Sequence, residues 1–246
     1  MKKLFVFLII SFYSISSCDV IENSLDLPYE DIKLSNNEDQ LSNDEIISGL
    51  KEALIVGITN SVNLTSVKDG FLKNNAIRLP FPEDAIKVKQ KANDIGLKNK
   101  VDEFETVLNR AAEEATKEAF PIFKNAILNM SIEDGLSILK GGDGAATLFL
   151  KKNTQNALIR AFRPKVENAI TKVNLTKYWN PIIKKYNSAM IFTGGKKLDP
   201  DLAGYVTEQA IAGLFFMVEK EENKIRKEPL ARVSDILKKV FGSINK

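Results

Sequence analysis

A stripe of apolar residues at alternating spacings of three and four restricts the fold of this 246-residue chain more than any other feature. The stripe consists of Val101, Phe104, Leu108, Ala111 and Ala115. This spacing places all five side chains on one face of an α-helix, whereas a strand sends alternate residues to one face. The pattern predicts a helix over about residues 99–119 that packs one narrow face against a partner.

Helical spacing recurs along the chain, and no run of period-two alternation interrupts it. Ser42 and Glu45 have the spacing of a capping box, and apolar residues follow at helical intervals up to about Val62. Residues 210–218 are apolar on every side, which predicts the most buried helix, and Ser234 is expected to cap a short final helix. The sequence therefore predicts an all-α fold with a single multi-helix domain.

Four local patterns refine this prediction. Pro164 is expected to interrupt the helix that begins at Ala145, and Asp199 is expected to cap a helix whose first residue is Pro200. Ile86 and Ile95, with Val88 and Ala92, are expected to form the buried side of a helix after Pro82. The mixed charges of residues 219–227 are typical of a solvated helix end.

Residues 67–82 break the helical pattern. Glycine, asparagine and proline, including Pro80 and Pro82, prevent a long regular helix here. The same stretch nevertheless contains the apolar residues Phe71, Leu72, Ile77, Leu79 and Phe81. It is therefore predicted to be one long loop that packs onto the core.

The N-terminus has the three parts of a secretory signal. Lys2 and Lys3 precede the apolar residues 4–10, and small and polar residues follow up to Ser17. Residues 15–18, Ile-Ser-Ser-Cys, resemble the bacterial lipobox. That resemblance implies that residues 1–17 are a lipoprotein signal peptide and that Cys18 is the site of lipid attachment. The alternative is an ordinary signal peptide, with Cys18 a free thiol that has no partner in the chain.

The residues after Cys18 are acidic and lack an apolar period. Residues 19–41 contain seven Asp and Glu residues and one lysine, and Pro28 lies among them. We therefore predict a disordered tether over residues 18–41, and place the helical domain at residues 42–246.

Composition excludes several kinds of chemistry. The chain contains no histidine, and this rules out Ser-His-Asp and Cys-His catalysis and the metal sites that use imidazole.

The numbers of basic and acidic residues are nearly equal, at 35 and 32 in the whole chain. Without residues 1–17, which contain two lysines and no acid, the numbers are 33 and 32. Such a balance is not the charge pattern of a nucleic-acid-binding protein. No metal site and no cofactor is predicted.

Polar residues on the predicted helix over residues 99–119 form the candidate site. Asn109 and Glu113 lie one helical turn apart, with Arg110 beside them, and Arg78 in the loop is a possible partner. Amide, guanidinium and carboxylate groups together can bind an anionic or polar ligand. The alternative interpretation is a polar cluster that holds the loop of residues 67–82.

Eight short stretches resemble a bacterial family known as the domain of unknown function 4197. They begin at Ser48, Asp69, Ile77, Asn109, Pro121, Ile132, Ala145 and Tyr205. The resemblance spans roughly residues 45–242. It implies a helical envelope protein, often with a signal sequence, and it gives no catalytic residues.

These features predict a lipoprotein of the bacterial cell envelope, attached to a membrane through lipid on Cys18 and facing the periplasm. Which membrane holds it stays open. Its domain is expected to be a non-enzymatic binding or structural module whose partner is a small ligand or an envelope protein. The alternative is a hydrolase-like enzyme that uses arginine and carboxylate chemistry near Asn109, Arg110 and Glu113.

Overall fold

The computed structural model describes residues 42–172 and 175–228, and within them the chain contains only helices, turns and loops. The elements are α1 (Asn43–Thr65), a 3₁₀ helix (Glu83–Ala85), α2 (Ile86–Asp94), α3 (Lys98–Thr116), α4 (Ala119–Leu128), α5 (Ile132–Lys140), α6 (Ala145–Lys172), α7 (Leu175–Thr193) and α8 (Leu202–Lys227). This confirms the predicted all-α fold. The predicted signal peptide, Cys18, the tether and the helix after Ser234 lie outside the described residues.

Helix α8 is the centre of the fold, because it packs against α1, α3 and α6. Ala210, Leu214 and Val218 are among its buried residues, which confirms the prediction for residues 210–218. Ala212 and Phe216 differ, since both are exposed. The apolar stripe of α3 is also buried, and α3 packs against both α6 and α8.

The loop of residues 67–82 packs onto the core as predicted. Phe71, Ile77 and Leu79 are buried, although much of the loop is a series of turns rather than extended chain. Gly213 in α8 makes the close approach possible. A Cβ atom at Gly213 would lie 2.8 Å from Phe71 Cε1 and 3.1 Å from Ile77 Cβ, so a larger residue there would push the loop away from α8.

The start of the first helix is as predicted, but the start of α8 is not. Ser42 Oγ accepts a hydrogen bond from the Glu45 amide, and Glu45 Oε2 accepts one from the Ser42 amide, so the predicted capping box is present. The N-cap of α8 is Asp201, whose Oδ1 accepts from the Gly204 amide at 2.9 Å. The prediction of Asp199 as the cap is wrong, because Asp199 instead accepts from the Asp201 amide.

Pro164 does not end α6, which continues to Lys172. Proline removes one backbone hydrogen bond within a helix. Here both Pro164 and Arg160, whose carbonyl loses its donor, are exposed, so water can solvate the freed carbonyl. Phe162 and Val166 are fully buried on either side of the proline, and their burial holds the helix together across it.

Helix α2 is less buried than predicted. Val88 and Ala92 pack against the core, but Ile86 is exposed and 66% of the surface of Ile95 is accessible. The reason is that α3 is the main helix against which α2 packs, so only a narrow side of α2 is covered.

Helix α8 also caps α6 through a buried carboxylate. Glu222 accepts hydrogen bonds from the amides of Ala146 and Thr147 at 3.0 and 2.9 Å, and from Thr147 Oγ1 at 2.8 Å. Arg226 pairs with the same carboxylate. Amides at a helix N-terminus favour a negative charge. The prediction that residues 219–227 form a solvated helix end is therefore wrong at Glu222, and also at Glu221, which is buried and accepts a hydrogen bond from Asn60 of α1.

Candidate functional site

Asn109 holds the backbone of the loop of residues 67–82. Its Oδ1 accepts a hydrogen bond from the Leu79 amide at 2.8 Å, and its Nδ2 donates to the Leu79 and Glu105 carbonyls at 2.9 and 2.8 Å. The side chain is fully buried. Both N–H groups of the carboxamide are thus used, and the buried peptide groups of Leu79 are satisfied.

Glu113 holds the other end of the same loop. One carboxylate oxygen, Oε1, accepts hydrogen bonds from the amides of Phe71 and Leu72, both at 3.2 Å. The other oxygen, Oε2, pairs with Arg110 at 2.6 Å. Because Glu113 is buried, these partners supply the compensation that a buried charge requires.

Arg110 extends this cluster to Asp69 in the loop, with Nη2 and Oδ1 2.5 Å apart. Asp69 has a φ of +72°, a left-handed conformation that Asp and Asn tolerate better than most residues. Lys73 also pairs with Asp69 at 2.9 Å. Hydrogen bonds from Lys73 and Arg110 hold the pKa of Asp69 below its ordinary value.

We predict that Asp69→Asn weakens the fold at neutral pH and loses this effect in acid. Asparagine keeps the left-handed backbone but removes the charge. Since the pKa of Asp69 is lowered in the folded chain, its stabilisation is complete above the unfolded value of about 4 and disappears as pH falls through the folded value. Urea unfolding midpoints of wild type and variant should differ at neutral pH and converge in acid. A difference that is independent of pH would contradict the charge-based role of Asp69.

Arg78 lies on the exposed side of the loop and pairs with Glu105 at 3.1 Å. Lys89 from α2 donates to the other oxygen of the Glu105 carboxylate. Glu105 therefore joins the loop, α2 and α3. Glu105 lies one turn before Asn109 on α3. Because Arg78 pairs with Glu105, it faces the same side of α3 as Asn109 and Glu113.

The structure thus brings Arg78 of the loop to the side of α3 on which Asn109, Arg110 and Glu113 contact the loop. These contacts correspond to the loop-holding interpretation, and a ligand-binding role for the four residues stays a prediction. Sequence reasoning missed Asp69 and Glu105. A signal was available for Glu105, which precedes Asn109 by one turn of the same helix, whereas Asp69 lies 41 positions from Arg110.

An open cleft begins where the held loop ends. It has a volume of about 520 Å³ and is formed by the end of the loop, the 3₁₀ helix, α7 and the first turns of α8. Its walls include Pro80, Pro82, Glu83, Trp179, Lys196, Asp199, Asp201, Tyr205 and Glu208. We refer to it as the acidic cleft. Its size is in the usual range for small-ligand sites.

Two aromatic residues shape the acidic cleft. The Tyr205 hydroxyl donates to the Pro80 carbonyl at 3.1 Å, which joins α8 to the end of the loop. Trp179 Nε1 donates to the Pro200 carbonyl at 3.3 Å, and its ring contacts Phe104 with centroids 5.3 Å apart. The side walls of the cleft are therefore fixed by the core and by the loop that Asn109 holds.

The acidic cleft is electrostatically negative. Four carboxylates line it, and among the described lining residues Lys196 is the one base. Asp201 is compensated, since it pairs with Arg163 at 2.9 Å. Burial, together with the charges of Glu83 and Glu105, raises the pKa of Tyr205 to about 12. Burial opposes any charge, so only the smaller contribution of Glu83 and Glu105 to this shift reflects negative charge near the cleft.

Neither a metal-binding cluster nor a membrane-spanning helix is present in the described residues. Within residues 42–172 and 175–228, no group of three or more Asp, Glu or Cys side chains is arranged to hold a metal ion. Among the described helices, none is both long enough and apolar enough to cross a bilayer.

Fold and site together define an all-helical protein with a long loop held against α3 and an open cleft at the end of that loop. The family model described as "Protein of unknown function (DUF4197)" matches residues 40–242. The chain therefore belongs to this family. No curated protein and no solved structure matches the chain significantly.

Proposed function

We propose that this chain is a lipid-anchored protein of the bacterial cell envelope whose helical domain is a non-enzymatic binding module. Its ligand is a small molecule or peptide segment that carries amine or guanidinium groups. Lipid on Cys18 holds the protein at a membrane, and residues 19–41 connect that anchor to the domain. The lipobox resemblance of residues 15–18 supports the anchor.

The acidic cleft is the observation on which the binding function rests. Glu83 and Glu208 line it, and both make no ion pair with the residues that the structure describes. Tyr205, which is partly exposed, adds aromatic surface that attracts cations, whereas Trp179 is only 4% exposed and forms part of the wall from within the core. A ligand with two or more positive groups can therefore contact carboxylate and aromatic walls at once.

Loop-holding residues support this function indirectly. By fixing Leu79, Asn109 also fixes the position of Pro80, whose carbonyl accepts a hydrogen bond from Tyr205 at the edge of the cleft.

The hydrolase-like alternative needs Asn109, Arg110 and Glu113 to act on a substrate. The contacts favour the binding module, because the polar atoms of both side chains are already engaged. The donors of Asn109 go to the Leu79 and Glu105 carbonyls, and the oxygens of Glu113 accept from the loop and from Arg110.

We predict that the chain binds spermidine, a flexible cationic probe. Glu83→Gln with Glu208→Gln should weaken binding roughly fivefold, as expected for two exposed charge pairs. Trp179 is the single tryptophan of the chain, so intrinsic fluorescence reports on the cleft directly. The titration compares wild type with the double variant at constant ionic strength.

Glu219→Gln is the matched control for this titration. Glu219 is exposed on the same helix, about 16 Å from Glu208 at the helical rise per residue. This variant should bind as wild type does. Equal affinity of all three proteins, or no saturable change in fluorescence, would contradict the assignment of the cleft.

A further inference from the structure

Helix α7 is packed at its first half and projects at its second. Ile183 is buried, and the Asn187 side chain pairs with both the amide and the carbonyl of Leu198 at 2.7 and 2.9 Å. Beyond Asn187, every residue up to Lys197 is exposed or only partly buried. The end of α7 therefore extends away from the core on a fixed base.

The projecting end carries large apolar side chains. Ile191 is 64% exposed and Phe192 is 89% exposed. The helix then closes in a defined way: Gly194 has a φ of +67°, and the Gly195 amide donates to the Met190 carbonyl at 3.2 Å. This is the hydrogen bond of a Schellman motif. We refer to residues 191–197 as the α7 tip.

The charged residues in and before the α7 tip are all positive. Residues 175–198 contain five lysines and no Asp or Glu. Lys184 precedes Ile191 by seven residues, and Lys185 precedes Phe192 by seven, so each lysine lies two turns behind an exposed apolar residue on the same face. The first acids that follow, Asp199 and Asp201, accept from backbone amides at the start of α8.

We propose that the α7 tip inserts into an anionic lipid surface. Ile191 and Phe192 enter the boundary between headgroups and acyl chains, and Lys184 and Lys185, about 10 Å behind them along the helix, meet lipid phosphates. Exposed apolar residues followed by lysines suit this partner, because it offers an apolar interior below a negative surface. The proposal rests on the proposed function in one respect: the lipid anchor brings the domain to a membrane.

The test uses the chain that begins at Asp19, which has neither the signal peptide nor Cys18. Leu41–Lys246 is a compact unit of its own, so this chain retains the whole fold. Co-sedimentation is measured with vesicles of phosphatidylglycerol and phosphatidylcholine, and with vesicles of phosphatidylcholine alone. We expect binding to the anionic vesicles, and a roughly tenfold weaker partition coefficient for Ile191→Ser with Phe192→Ser.

Two further variants separate the contributions. Lys184→Gln with Lys185→Gln should also weaken binding, and should reduce its dependence on salt. Leu148→Ser removes an equally exposed apolar residue from α6 and should leave binding unchanged. Thermal unfolding of each variant verifies that the fold is intact.

Three results would overturn the proposal. These are no binding to anionic vesicles, equal binding by wild type and the Ile191→Ser with Phe192→Ser variant, and a concentration-dependent dimer that this variant abolishes. The last result would assign the α7 tip to a second copy of the chain. Because the tested chain lacks Cys18, the outcome is independent of whether the lipid anchor exists.

Discussion

Asn109→Ala should lower the free energy of unfolding by about 2–5 kcal/mol, because it leaves the buried amide and carbonyl of Leu79 without partners, at about 1–3 kcal/mol each. Urea unfolding at neutral pH measures this change. The loop of residues 67–82 should loosen as well, and we expect faster amide hydrogen exchange at Leu79 and weaker binding of spermidine in the acidic cleft.

Asn153→Ala is the control for the Asn109 variant. Asn153 is also in a helix and donates to a backbone carbonyl, that of Phe149, but it is exposed. Its removal should change stability by no more than about 0.5 kcal/mol. Equal stabilities of the Asn109→Ala and Asn153→Ala variants would show that the loop does not depend on this contact.

Glu222→Ala should destabilise the fold by about 3–5 kcal/mol, the usual effect of removing one partner from a buried ion pair. Arg226 would keep a nearly buried charge, and the amides of Ala146 and Thr147 would lose their acceptor. For a domain of this length, the melting temperature should fall by roughly 6–20 °C.

The matched control is Glu219→Ala, which removes an exposed glutamate from the same helix. We expect its melting temperature to stay within about 2 °C of wild type. Calorimetry of both variants at neutral pH makes the comparison. If the Glu222→Ala and Glu219→Ala variants have the same melting temperature, the Glu222 carboxylate does not cap α6 in solution.

Local sequence patterns predicted the helices that depend on local contacts. The capping box at Ser42 and the stripe on α3 need only residues within a few turns, and both are present. Pro164 was misinterpreted because the burial of Phe162 and Val166 depends on helices far away in sequence. Glu222 was misinterpreted for the same reason, since its partners are 75 and 76 positions away.

Sequence reasoning reached part of the candidate site. Helical spacing placed Asn109, Arg110 and Glu113 together, and the resemblance to one family extended across most of the domain. The acidic cleft had no local signal, because its walls come from three separate segments, 80–85, 179 and 196–209. Glu83 and Glu208 line one cleft only because the fold brings these segments together.

Lipid attachment at Cys18 is the central claim about where this protein functions, and one labelling experiment tests it directly. The full chain and its Cys18→Ala variant are expressed in bacteria supplied with an alkyne fatty acid, and label incorporation is compared. Cys18 is the single cysteine, so no other thiol can accept the lipid. We predict that wild type incorporates label, whereas the variant does not. Equal labelling of the two proteins would contradict the lipid anchor.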